Sequence, residues 1–350
     1  MSKELNAAAE GAMSLDTYIH LLRSPMLAEE RSVVSGCHLL AVDLDSAISE
    51  PLTAQAAEQL KTWLPNTVVV GFSGLNFAQL SSSHSHLIDL VDLLATPDHP
   101  TALLDAALAQ IARQPAASAA LVQLLRQSLE VSVDQGLMLE SLMYSSLQHG
   151  AAFEAWLQQQ QPKEVPESDG ASVVELQRAG ARLTITLNRP RKHNAFSARM
   201  RDELCQALMV ALVDETVTEV SLEGNGPSFC AGGDLDEFGQ ARDAALAHLT
   251  RTTRSAAKLM DSMAGKITAH LHGACIGAGI ELTAFAQRVI ADPASQFALP
   301  EVGFGLVPGA GGTVSIPRRI GRHRAGLMAI SGVPIDAKLA LDWGLVDALR

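Results

Sequence analysis

The chain has 350 residues, 47% of them hydrophobic, enough to bury a sizeable core as one large domain or two ordinary ones. A formal charge of −12 argues against non-specific nucleic-acid binding, because a phosphate backbone demands a surplus of Lys and Arg. Cys37, Cys205, Cys230 and Cys275 form no C-x-x-C pair and no histidine stands at metal-ligand spacing, so neither a disulfide framework nor a metal site is expected.

The opening stretch, MSKELNAAAEGAMSLDTY, is polar and acidic where a signal peptide would be apolar. No apolar run reaches the roughly 18–20 residues that cross a bilayer, so a cytoplasmic protein is expected. HLLAVDLD reads as a strand, PLTAQAAEQLKTWL as a helix and NTVVVGFSGLNFAQL as a second strand. The chain then turns helical through LLDAALAQIARQ, PAASAALVQLLRQSLE and GLMLESLMYSSLQHGAAFEAWLQQQ. Apolar residues recur there every three or four positions, the pattern of helix or subunit packing. A polar, proline-punctuated stretch from Gln158 to Ser172 reads as a linker, which divides the chain into residues 1–160, a linker over 161–172, and residues 173–350. The downstream part opens with the alternating strand ARLTITLN, a turn at RPRKHNAFS, an amphipathic helix over about 198–213 and a strand in TEVSLEG, which suggests an α/β unit.

Two glycine-rich segments follow at places where chemistry is expected. GPSFCAGGDLDEF (226–238) comes directly after a strand, where open α/β sheets bind ligands, and small residues let backbone N–H groups approach closely. GACIGAGIELTAFA (273–286) does the same at a helix start, where unpaired N–H groups and the helix dipole favour developing negative charge. Together they can form an oxyanion hole. Glu281 and Glu301 lie beside these glycines in an otherwise apolar run.

With LNRPRKHNAFS, FALPEVGFGLVPGAGGT and the closing A-x-x-A-x-x-W-G-L-V-D-A, these segments resemble the crotonase, or enoyl-CoA hydratase/isomerase, superfamily over roughly residues 173–350. The resemblance implies an α/β fold, a crotonase-like spiral of ββα units, here with a helical N-terminal region. It implies an acyl thioester of coenzyme A as substrate, with no other cofactor and no metal, and a homotrimer or hexamer as the assembly. Carried over by position, the oxyanion N–H groups belong to Gly233 and Ala278. The coenzyme would be met by Arg191, His193, Ala195, Ala231, Asp234 and Leu235. Glu281 and Glu301 fall where hydrating members carry the two acid–base glutamates, with Leu299, Val302, Phe304 and Leu306 as apolar surroundings. The implied activity is hydration of a trans-2-enoyl-CoA. The alternatives are an isomerase moving the double bond between positions 3 and 2, and a non-catalytic acyl-CoA-binding subunit.

The resemblance is rearranged. Family members continue past the W-G-L-V-D-A segment with helices that cover the acyl pocket, and the stretch from Pro115 to Pro162 resembles those helices, including the G-L-x-x-E of Gly136 to Glu140 and the A-W-L of Ala155 to Leu157. The expectation is a degenerate ββα copy over about 36–83, followed by these helices packed over the downstream core, either in the same subunit or swapped into a neighbour. NFAQLSS stands where SFCAGGD would, so the upstream copy is expected to be structural.

Overall fold

Hydrophobic β-branched residues build the centre of the upstream half. In this computed structural model, which describes residues 3–83, 85–160 and 171–350, β1 (Met13–Ser14), β2 (Leu39–Asp43), β3 (Val68–Phe72) and β4 (Leu93–Ala95) form a four-stranded parallel sheet in that order. β3, with three consecutive valines, is buried along its whole length, as a central parallel strand must be. The expected strand, helix and strand correspond to β2, the Ala54–Lys61 helix and β3. The sequence reading did not anticipate β1 and β4. The expected second strand stops at Phe72, and the chain then forms the Phe77–Ser83 helix.

After β4 come the helices Thr101–Arg113, Pro115–Gln127, Val133–Gln148 and Ala151–Leu157. Pro115 opens the Pro115–Gln127 helix at the position where a missing N–H costs nothing. Ser132 and Gln135 form a reciprocal cap on the Val133–Gln148 helix, and Gly150, in extended conformation, separates it from the Ala151–Leu157 helix. The sequence pattern runs through that break. Residues 161–170 of the expected linker lie outside the described residues.

Downstream, β5 (Val174–Ala179) and β6 (Arg182–Leu187) pair antiparallel, and β6 turns Leu183, Ile185 and Leu187 inward by simple alternation. The Ala198–Val213 helix, capped by the Ser197 hydroxyl, leads to β7 (Glu219–Gly224), parallel to β6. β8 (Ile267–Leu271), β10 (Arg288–Ala291) and β13 (Ala348–Leu349) complete a six-stranded sheet, while β9 (Ala274–Ile276), β11 (Gln296–Ala298) and β12 (Ile335–Asp336) form a three-stranded one. From β8 to β11 successive strands alternate between the two sheets, after which β12 joins the sheet of β11 and β13 that of β10. β8 and β9 lead into a single helical turn, and β10 and β11 into the 3-10 turn Glu301–Phe304. These are the ββα repeats expected from the sequence.

The upstream half is tied to this spiral at two places. At the first, Arg322, opening the Arg322–Ser331 helix, donates to the carbonyls of Val91 and Asp89 and lies 3.8 Å from Asp92, which Arg126 of the same upstream half grips through Nε (2.8 Å) and Nη2 (2.7 Å). Leu93, Ala107 and Leu121 share one hydrophobic cluster with Ile316, Leu327 and Met328. Further along, Trp156 packs on Phe304 at 4.6 Å between ring centroids, and Leu139 packs against the same core, so the later helices lie on the downstream core of their own chain.

Breaking the buried pair tests this attachment. Asp92→Ala leaves Arg126 charged and unpaired, and we expect a loss of about 3–5 kcal/mol in stability, read from the urea unfolding midpoint.

Candidate active site

The first two matched segments interlock. His193 and Asn194 adopt left-handed backbone at φ 50° and 54°, which turns the chain so that the His193 carbonyl accepts from Ala231 N and Phe196 N donates to the Gly232 carbonyl. Asn194 is wholly buried, its amide donating to the carbonyls of Asn225, Ser228 and Phe229. Asp234 accepts from Arg189 and Lys192. Burial pulls its carboxyl upward, but the Arg189 hydrogen bond and the two cations outweigh that and hold it below the ordinary range. Asp234 therefore braces this turn.

Glu281 and Glu301 come together from consecutive repeats. Gly277, at φ 49° after β9, turns the chain into the Ala278–Glu281 helical turn; Glu301 follows β11 by way of Leu299 and Pro300. A Cβ at position 277 would lie 2.5 Å from Glu301 Oε1 and 3.7 Å from Glu281 Oε1, so the two carboxyls converge over a backbone that only glycine leaves open. Glu281 is 2% exposed and Glu301 8%. Leu299, Val302 and Leu306 are buried around them and Phe304 is partly so.

Their surroundings differ. Glu281 Oε2 accepts from Ala310 N (2.8 Å) and Gly312 N (2.9 Å), whereas Glu301 Oε2 is buried with no partner among the described residues. Burial pushes Glu281 up to about 7 against the pull of those two N–H groups. Burial, then the charge of Glu281, drive Glu301 well above the ordinary carboxylate range.

A third carboxyl completes the group. Glu140, from the Val133–Gln148 helix, is 3% exposed and accepts from Gly311 N (2.7 Å), Thr313 N (2.9 Å) and the Thr313 hydroxyl (2.7 Å). Burial and the nearby Glu281 push it up to about 8, against those donors. The sequence reading placed Glu140 only in a helix resembling the family's terminal ones; an acid in the G-L-x-x-E of an otherwise packing helix was the available signal.

These groups border a cavity of about 620 Å³ between the Val133–Gln148 helix and the spiral. Five expected residues, Gly233, Asp234, Ala278, Glu281 and Glu301, line it. Among the described residues, neither Gly233 N nor Ala278 N donates to a protein acceptor. Arg191, His193, Ala195, Ala231 and Leu235 are not on its wall; Arg191, His193, Ala231 and Leu235 are exposed and Ala195 is partly so, on the interlocked turns beside it.

The family model for enoyl-CoA hydratase/isomerase matches residues 178–350. A 2,3-dehydroadipyl-CoA hydratase of Escherichia coli (strain K12) is 35% identical over 164 residues, covering 47% of this chain and 64% of that protein. A 1,2-epoxyphenylacetyl-CoA isomerase of the same organism is 32% identical over 167 residues, with the same coverage. An enoyl-CoA hydratase structure from Thermoplasma volcanium GSS1 is 32% identical, covering 51% of this chain and 72% of that one, with a TM-score of 0.48. The chain belongs to the crotonase superfamily. It spans 63–64% of the length of these and other curated relatives.

In this crotonase the three raised carboxyls set the sign of a pH effect. A carboxyl whose native pKa exceeds its ordinary 4.5 holds its proton more tightly when folded. The stability tied to it is complete below about pH 4.5 and is lost as pH rises toward the native value, about 7 for Glu281 and about 8 for Glu140. Glu301→Gln removes one such group without breaking a hydrogen bond at Oε2. We expect thermal unfolding of the variant to match wild type near pH 5 and to exceed it at pH 8, whereas parallel curves would contradict the assignment.

Proposed function

We propose that the chain is an enoyl-CoA hydratase, adding water across the double bond of a trans-2-enoyl-CoA to give the 3-hydroxyacyl-CoA. The observation that carries this reading is the convergence of Glu281 and Glu301 in one cavity with unlike partners. Two backbone donors favour the ionised form of Glu281, which suits it to take a proton from water as the oxygen attacks Cβ. Glu301, with its pKa driven well above the ordinary carboxylate range by burial and one oxygen unpartnered among the described residues, suits delivery of a proton to Cα. The electron pair of the double bond moves toward the thioester carbonyl, whose oxygen would sit against Gly233 N and Ala278 N. A preorganised donor of this kind contributes about 3–4 kcal/mol to the transition state.

The coenzyme would leave the cavity along the turns carrying Arg191, His193, Ala195, Ala231 and Leu235. The charge of Asp234 is already met by Arg189 and Lys192, so Asp234 would shape this exit rather than bind through its side chain. Isomerisation, moving the double bond between positions 3 and 2, is the rival, since it needs proton shuttling by a single carboxyl.

Crotonyl-CoA and a longer trans-2-enoyl-CoA, followed by loss of the enoyl-thioester absorbance with product identification, test the reading. Wild type should yield the 3-hydroxyacyl-CoA. Glu281→Gln and Glu301→Gln should each lower kcat by about 10²–10⁴ with thioester binding retained. A shifted double bond, with only one glutamate required, would instead establish the isomerase; binding without turnover would establish a binding subunit.

A further inference from the structure

The same cavity holds a cation that the acid–base chemistry does not use and that no carboxylate among the described residues pairs. Arg251, on the Ala244–Thr253 helix, is half-buried in the wall facing the Val133–Gln148 helix. Its guanidinium lies 4.9 Å over the Tyr144 ring and donates to the Ser141 hydroxyl (3.2 Å) and carbonyl (3.3 Å), to Gln148 (3.3 Å) and to the Ser145 hydroxyl. Every one of these acceptors is neutral. The other cations on the wall have carboxylate partners: Arg201 and Arg254 share Asp202, and Lys258 pairs with Asp134. Among the described residues, no carboxylate lies within salt-bridge distance of Arg251.

His248 adds to this polar end, its Nδ1 3.0 Å from the same Ser141 hydroxyl. Tyr144 spans the distance to the chemistry, its ring packed where a Cβ on Gly309 would fall, one residue before the donors to Glu281. Arg251 thus stands one aromatic ring from the glutamate loop. A pure hydrocarbon tail lying here would desolvate a guanidinium, a histidine and two serines and offer them no charge in return. An anionic group would accept from the planar guanidinium and neutralise it.

We infer that this end of the cavity selects acyl chains ending in a carboxylate, with Arg251 as the specificity-determining residue and His248 beside it. The inference rests on the acyl-CoA reading above. The substrate class is the mono-CoA thioester of a trans-2-enedioic acid.

The test is competitive binding and turnover of two six-carbon thioesters, one from trans-2-hexenedioic acid and one from trans-2-hexenoic acid, with free coenzyme A as a third ligand. Wild type should favour the acid-terminated thioester by about tenfold or more in kcat/KM and in Kd. Arg251→Gln should abolish that preference while changing the neutral thioester less than about threefold; Arg251→Lys should retain part of it. Equal affinity for both thioesters in wild type overturns the inference and leaves the acyl-CoA reading intact. A matching loss of free coenzyme A affinity in Arg251→Gln also overturns it, by assigning the cation to the nucleotide phosphates. Failure of wild type to bind any of the three overturns the acyl-CoA reading itself.

Discussion

Four consecutive backbone N–H groups hold the site together. From Ala310 to Thr313 they point alternately to two carboxyls: Ala310 and Gly312 to Glu281, Gly311 and Thr313 to Glu140. Glu281 belongs to the ββα spiral and Glu140 to a helix that enters the chain before the spiral begins. One short loop at the start of the Gly312–Ile320 helix is thus shared between the two halves, and neither half alone satisfies its donors. The glycines are required by this arrangement. Gly311 has φ 106°, and a Cβ on Gly312 would lie 2.6 Å from Glu281 Cγ.

The same sharing explains the electrostatics. Three carboxyls buried in one apolar neighbourhood cannot all ionise, because each charge raises the cost of the next. Backbone donors at a helix start lower the cost of charge on Glu281 and Glu140, although burial still holds both above the ordinary range, and Glu301, which lacks a partner at Oε2 among the described residues, has no such help. That ordering of otherwise identical side chains gives a base and an acid in one cavity. The attachment of the upstream half through Arg126, Asp92 and Arg322 fixes the chain segments from which the Glu140 helix departs, so stability and chemistry meet in the same architecture.

Much of the downstream half was legible in the sequence. Alternation marked β6 and β7, three- and four-residue spacing marked the Ala198–Val213 helix to its bounds, and the glycine-rich segments placed Glu281 and Glu301 beside backbone donors. β1 and β4 were missed because strands of two and three residues carry no usable alternation. The Gly150 break was missed because apolar spacing continues through it. Glu140 and Arg251 escaped for another reason. Glu140 lies on a helix whose stripe already accounts for its packing, and the roles of both depend on partners over a hundred positions away, which no local spacing encodes. Asp234 shows the converse, since its motif suggested a ligand contact while Arg189 and Lys192 already occupy its carboxylate.

The sharing of the loop can be measured at its own amides. Hydrogen exchange at residues 310–313 in wild type and in Glu140→Gln, whose amide cannot accept from both Gly311 and Thr313, reads each bond separately. If the two halves build one site, the substitution will speed exchange at Ala310 and Gly312, bonded to Glu281, as well as at Gly311 and Thr313. Retained protection at Ala310 and Gly312 would mean that the spiral holds Glu281 unaided, and that the upstream helix merely covers it.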